Sequence, residues 1–226
     1  MNFFLKMKKT EFLDTYKWLW SYNVKRNKYN HYIIRMDINE AKLLSHYCQL
    51  AKEGIIEIGR FRGGSTYIIL DNSNVPVYSI DIDSLEKIDN QLRANTIRGY
   101  DSTEWNIKKI NNTFGNPDDI NMSKKLQKFN NRLTLINKPS VQVDISNEIN
   151  HSYDVLFLDG NHLYNNIKND VQHYWSNLTR YAIFRDYKAK DSIQNTGIVK
   201  VVDELVDNNY GKIVDVVNSL VVVEKK

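Results

Sequence analysis

The sequence holds one cysteine, three prolines and no block of like charge longer than a few residues. With Cys48 alone, no intrachain disulfide can form, so the fold must rest on its core. Cys48 lies inside a helical pattern, which predicts a buried small hydrophobe and not a reactive thiol. That usage suits a reducing cytoplasm, and a cytoplasmic protein is the expectation. No apolar run approaches the length that spans a bilayer, and the opening MNFFLKMKK is too short in apolar residues for a signal peptide. The 31 basic and 27 acidic residues are dispersed, giving a net charge of +4. Without a basic stripe, nucleic acid is not the expected partner, and the mildly basic balance suits an anionic small molecule. There is no internal repeat and no low-complexity linker.

What is there is a chain of 226 residues, 42% hydrophobic and 26% charged, enough for one large domain with a continuous core. Residues 1–52 read as N-terminal helices. KKTEFLDTYKWLWSY (8–22) spaces Phe12, Tyr16 and Trp20 by four, and DINEAKLLSHYCQLAKEG opens on a capping box, Asp37 and Glu40, and closes on Gly54. From there short apolar runs alternate with helical patterns. Strands are predicted at 55–58, 76–82, 132–136, 153–159 and 180–186. Helices are predicted from Ser65, along the face Ile167, Val171, Trp175 and Leu178, and over 196–211. KIVDVV and LVVVEK, separated by Asn218 and Ser219, have hairpin spacing. The predicted fold is α/β and Rossmann-like, a seven-stranded, mostly parallel sheet ending in an antiparallel hairpin. Residues 84–131 read as a helical insertion that serves as a lid or only packs, because a structureless loop of that length is out of place in a compact domain.

The first predicted strand runs into EIGRFRGGST. A dinucleotide turn needs a second glycine where Phe61 stands, and a phosphate-binding P-loop needs a lysine that is missing after Gly63. Both phosphate cradles are excluded. Ligands of open α/β sheets bind beyond the carboxyl ends of the strands, where Glu57, Gly59 and Asp81 converge. Asp81 suits a ribose diol. Backbone N–H groups near Gly63 and the hydroxyls of Ser65 and Thr66 suit a small carboxylate at a helix N-terminus. A ligand with a ribose, a carboxylate and no pyrophosphate describes S-adenosylmethionine; the alternative is a glycine turn chosen for sterics alone.

EIGRFRGGST, YSIDID, YDVLFLDGNHLYNNIKNDVQHYW and YAIFRDY together resemble class I S-adenosylmethionine-dependent methyltransferases. The likeness, over about residues 40 to 224, is to the small-molecule branch that includes sugar O-methyltransferases and cephalosporin-hydroxylase-like proteins. The resemblance implies that Glu57, Gly59, Gly63, Ser65 and Thr66 hold the methionine part. It places Asp81 at the ribose, Ser140 on the adenine side and Asp159 beside the cofactor. It implies O-methylation of a small polar acceptor, a sugar hydroxyl of a nucleotide-activated sugar, in surface-polysaccharide or secondary-metabolite synthesis.

Asp159 and Asp186 end the fourth and fifth strands, at the same rim. Two routes to activating a hydroxyl stay open. The carboxylates can hold Mg²⁺, although Arg185 and Tyr187 flank Asp186 where metal-dependent relatives carry an acid or amide. His162 can instead take the proton. Tyr164 suits packing or substrate contact, and His151 and His173 suit surface or interface positions in a chain that can form a homo-oligomer. Arg60 and Arg62 read either as contacts for an anionic substrate or as solvated loop residues. The rival functions are a nucleic-acid methyltransferase, disfavoured by LDGN where an NPPY-type segment is needed, and a non-catalytic binding module.

Overall fold

The apolar runs form strands because both of their faces are covered. In the computed structural model, which describes residues 9–23, 28–31, 33–85, 121–149, 151–188 and 195–226, seven strands line up in the order β5-β4-β3-β6-β7-β9-β8. These are β3 (Ile55–Ile58), β4 (Val77–Asp81), β5 (Leu133–Asn137), β6 (Tyr153–Leu158), β7 (Leu178–Phe184), β8 (Gly211–Val217) and β9 (Leu220–Lys225). β5, β4, β3, β6 and β7 run parallel. β9 and β8 close the edge antiparallel, as the hairpin spacing predicts.

Alternate side chains enter opposite layers. Val155 and Phe157 of β6 join a core with α1 (Lys9–Tyr16), α2 (Ile38–Leu50) and α3 (Gly64–Asp71), while Leu156 and Leu158 join another with α6 (Tyr164–Tyr174) and α7 (Asn195–Asp207). Each such fully buried side chain contributes about 1.5–3 kcal/mol of transfer free energy. Two-sided burial is why these strands read as continuous apolar runs and not as alternating ones.

The capping box at the start of α2 is present, and it does more than cap. Asn39 N–H donates to Asp37 Oδ1 at 2.8 Å and Asp37 N–H to Glu40 Oε2 at 2.9 Å. The other oxygen of Glu40 accepts from Ser219 N–H at 2.8 Å and Ser219 Oγ at 2.6 Å, so the hairpin turn docks on the helix start. Tyr187 N–H donates to the Ser219 carbonyl at 2.7 Å. The end of β7 is thereby braced from below.

Several boundaries differ from the sequence expectation: α7 ends at Asp207 and not at 211, and β6 and β7 end at Leu158 and Phe184, just before Asp159 and Asp186. The first helix stops at Tyr16, and after one 3₁₀ turn Trp20–Asn23 forms β1, paired antiparallel with β2 (Lys28–His31). An aromatic-rich WLWSY suits a strand as well as a helix once a partner strand is present. α2 ends at Leu50 and not at Gly54, because the Asp154 carboxylate accepts the N–H groups of Lys52, Glu53 and Gly54 and turns the chain. Trp175 lies in a 3₁₀ turn and Leu178 opens β7, so α6 is shorter than its apolar face suggested. Within 84–131, α4 (Met122–Leu126) buries Met122 and Leu126 in the core and a 3₁₀ turn follows at Gln127–Phe129; residues 86–120 of the expected insertion, and with them the lid, lie outside the described residues. α5 (Ile145–Glu148) precedes β6.

Candidate active site

The loop between β3 and α3 is built on close approach. Gly59 sits at φ +91°, and a Cβ there would stand 2.2 Å from the Asp159 carbonyl oxygen. Only glycine lets the ends of β3 and β6 run this close. Gly63 caps α3 from the left-handed region, at φ +79°. At Gly64 a Cβ would lie 2.9 Å from the Ile33 carbonyl oxygen, so the second glycine of the pair admits the segment before α2 onto the start of α3. Asp81 shapes the same loop: its carboxylate accepts Phe61 N–H at 2.8 Å and Asp83 N–H at 3.1 Å.

Beneath the loop lies a polar network. Glu57 is fully buried and accepts from Ser65 Oγ at 2.5 Å, Thr66 Oγ1 at 2.6 Å and Ser79 Oγ at 2.5 Å. The hydroxyls of Ser65 and Thr66 are thus spent on Glu57, where the sequence reading turned them toward a ligand. Burial raises the Glu57 pKa, opposed by the three hydroxyl bonds and the Arg60 charge. Arg60 corrects both sequence readings. It is 1% exposed and donates to the Ser79 carbonyl at 2.5 Å, the Asp83 carbonyl at 2.9 Å and Asn137 Oδ1 at 2.6 Å. It stitches the loop to β4 and β5, and it is neither solvated nor open to a substrate.

Above the loop a cavity of about 470 Å³ opens at the carboxyl ends of β3, β4, β5 and β6, with Gly59, Asp81, Ser140 and Asp159 on its wall. Three of the exposed large hydrophobic side chains, Phe61, Ile82 and Val141, border it. A carboxylate that accepts from ribose hydroxyls, beside an apolar slot for the base, is what an adenosine needs, so the cavity fits the nucleoside half of S-adenosylmethionine. The Ser140 hydroxyl is itself engaged, donating to Asp170 Oδ1. Burial raises the Asp170 pKa, which that bond pulls back.

Asp159 belongs to this cavity and also to a second cluster. His162 Nδ1 is 3.3 Å from Asp186 Oδ2, and His162 Nε2 is 3.6 Å from Asp159 Oδ1. Arg185, missed as a functional residue by sequence reasoning, lies between the acids. Its Nη1 donates to Asp159 Oδ1 at 2.9 Å, its Nη2 is 3.5 Å from Asp186 Oδ1, and Nη2 also donates to the Arg35 carbonyl. Burial would lower the Arg185 pKa, but the charges of Asp159 and Asp186 more than offset it and hold the guanidinium above its ordinary value. His162 Nε2 is buried without a hydrogen-bond partner. Asp186 holds φ +61°, a strained backbone of the kind that clusters at working sites. Asp159, His162 and Asp186 each offer one atom within 4.8 Å of the others, the reach of a divalent cation.

The remaining candidates stand elsewhere. Tyr164 donates to Glu204 Oε1 at 2.6 Å and joins α6 to α7. His173 Nε2 lies 2.8 Å from the Val143 carbonyl oxygen, and His151 is exposed. Asn161 Oδ1 accepts Leu163 N–H at 3.0 Å and shapes the turn that presents His162.

Residues 56–184, more than half of the chain, match the sequence model of the methyltransferase domain family. The chain belongs to that family. Searched against curated proteins, the methyltransferase matches none. Among solved structures it is similar to the Podospora anserina methyltransferase PaMTH1 bound to S-adenosylhomocysteine, with a TM-score of 0.53 at 11% identity over 84% of this chain and 80% of that one. The O-methyltransferase NovP aligns with a TM-score of 0.54 at 13% identity, over 91% of this chain and 87% of its own. PH1948 of Pyrococcus horikoshii, proposed to be an RNA methyltransferase, aligns with a TM-score of 0.56 at 8% identity, over 98% and 99%. At these identities the likeness is one of fold. The methyltransferase thus has the class I, S-adenosylmethionine-dependent architecture expected from its sequence. No helix among the described residues is long and apolar enough to cross a membrane.

Proposed function

We propose that this methyltransferase transfers the methyl group of S-adenosylmethionine to an oxygen of a small polar acceptor, a hydroxyl of a nucleotide-activated sugar, with His162 as the base. The observation that carries the reading is the buried, unpartnered Nε2 of His162 beside Asp159, the one residue shared by the cavity and the catalytic cluster.

When bound, S-adenosylmethionine supplies an electrophilic methyl on a sulfonium. Asp81 keeps a lone pair on each carboxylate oxygen for the ribose hydroxyls while it holds Phe61 and Asp83. Ile82 and Val141 offer apolar faces to the adenine, and the Ser140 turn closes that side. The first N–H groups of α3, following Gly63, have no intrahelical acceptor and suit the methionine carboxylate. In this arrangement Glu57, Ser65 and Thr66 serve the methionine end as the brace under that turn and not as direct ligands.

With Asp186 accepting the proton on Nδ1, His162 keeps its Nε2 lone pair for the acceptor hydroxyl. As the C–O bond forms and the C–S bond breaks in line, the hydroxyl proton passes to Nε2. The imidazolium is then held between two carboxylates. An anionic acceptor is favoured by cations at the mouth: the Arg35 and Arg62 guanidiniums lie 4.5 Å and 5.0 Å from the centre of the Phe61 ring. The test is a screen of nucleotide-activated sugars against their neutral free sugars with methyl-labelled cofactor. Label in the nucleotide sugars supports the reading, and label confined to neutral sugars or to RNA refutes the acceptor class.

A further inference from the structure

We propose that Arg185 is a built-in cation standing where a divalent metal would sit between Asp159 and Asp186, so that methyl transfer by this enzyme is independent of metal. The inference rests on reading Asp159, His162 and Asp186 as the catalytic cluster.

The first argument is occupancy. The Oδ1 atoms of both carboxylates face one guanidinium, at 2.9 Å and 3.5 Å, and the remaining Asp186 oxygen faces His162. The side chains of Arg185, Asp159 and His162 are 14%, 16% and 13% exposed, so water does little to screen a second cation placed among them. A metal would have to expel the guanidinium, and the guanidinium is tied down. Its Nη2 also donates to the Arg35 carbonyl, in a segment fixed by Ile33 and Ile34 N–H groups donating to the Leu19 carbonyl at 3.1 Å and 3.3 Å. A planar fork that meets two carboxylates and a carbonyl at once is a geometry arginine supplies and lysine does not.

The second argument is charge. Two carboxylates and one guanidinium leave the cluster at minus one, and a proton arriving on His162 brings it to zero. A divalent ion added beside the guanidinium would make the cluster positive, so a metal could enter only by displacing Arg185. Arg185 is thus a positioning residue: it sets the charge and placement of the two acids that hold His162, and it fastens the segment before α2 to them.

The test is Mn²⁺ titration of the full chain followed by electron paramagnetic resonance, which needs no acceptor and so remains decisive if the proposed acceptor is wrong. The wild type is expected to leave the free Mn²⁺ signal unchanged, in the presence or absence of S-adenosylhomocysteine. Arg185→Ala, with folding verified by its binding of S-adenosylhomocysteine, is expected to remove Mn²⁺ from solution through the vacated acids, and Asp159→Asn added to it should abolish that binding. Turnover of the wild type should be unchanged by EDTA, whereas Arg185→Ala should lose about 100-fold. Should Arg185→Ala fail to fold, Arg185→Lys keeps a cation without the fork and is expected to be slower yet still insensitive to EDTA and free of Mn²⁺. Mn²⁺ binding by the wild type, no Mn²⁺ binding by folded Arg185→Ala, or turnover by Arg185→Lys that requires added metal would each overturn the inference.

Discussion

His162 Nδ1 faces Asp186 Oδ2 at 3.3 Å, and Asp186 holds a left-handed backbone at φ +61° to place it there. In the proposed mechanism Asp186 keeps the imidazole proton on Nδ1, which leaves Nε2 as the acceptor. Replacing Asp186 with asparagine keeps the shape and removes the charge that stabilises the imidazolium. Turnover should fall about 100-fold while affinity for S-adenosylhomocysteine stays within about twofold, read by steady-state kinetics and calorimetry. A loss of cofactor affinity with unchanged turnover would place Asp186 in binding.

Gly59→Ala should disable the loop outright. The added methyl meets the Asp159 carbonyl carbon and oxygen, both backbone atoms, and the required φ is unfavourable for alanine. Urea unfolding should show a loss of at least about 1–3 kcal/mol, with cofactor binding abolished or strongly weakened. Unchanged stability would mean that β3 and β6 do not approach as described.

Arg60 and Arg62 should separate cleanly. Arg60→Met removes the donor from three acceptors, the buried Ser79 carbonyl and the partly buried Asp83 carbonyl and Asn137 Oδ1, and leaves Glu57 without its nearby cation, for a loss of about 3 kcal/mol. Arg62→Ala should change stability by no more than about 0.5 kcal/mol and raise the KM for an anionic acceptor. The midpoint in urea and the acceptor KM of each variant decide it; a stable Arg60→Met with a raised KM would restore Arg60 to the substrate.

Glu57 makes stability depend on pH in a stated direction. Burial raises its folded pKa above the ordinary carboxylate value near 4.3, against the pull of Ser65, Ser79 and Thr66. A carboxyl whose pKa is higher in the folded state contributes stability that is fully present below its unfolded pKa and is lost as pH rises through the folded one. The stability of the wild type relative to Glu57→Gln should therefore be greatest in acid and shrink toward neutral pH. Urea denaturation at a series of pH values reads this, and an advantage that grows with pH contradicts it.

The sheet was legible because two-sided burial writes itself as apolar runs, and the rim position of Asp159, His162 and Asp186 follows from the rule that parallel strands gather their carboxyl ends. Periodicity tells which face of an element is buried, and says little about which polar groups meet across the sheet. Arg60 reaches Asn137 across 77 positions, and Arg185 reaches the Arg35 carbonyl across 150. Both depend on topology. A signal was nonetheless present for Glu57: an acid inside an apolar strand needs donors, and Ser65, Thr66 and Ser79 were the hydroxyls within reach of that strand and its neighbour. Trp20 was misread because aromatic spacing by four does not exclude a strand when β2 stands ready to pair.

The central claim is that His162 removes a proton from an acceptor hydroxyl as the methyl is transferred. Its most direct test compares wild type and His162→Ala for transfer of labelled methyl from S-adenosylmethionine to a nucleotide-activated sugar in EDTA. The account predicts transfer by the wild type, a rate about 10²- to 10⁴-fold lower in His162→Ala, and equal S-adenosylhomocysteine affinity in both. Equal rates in the two proteins would contradict it.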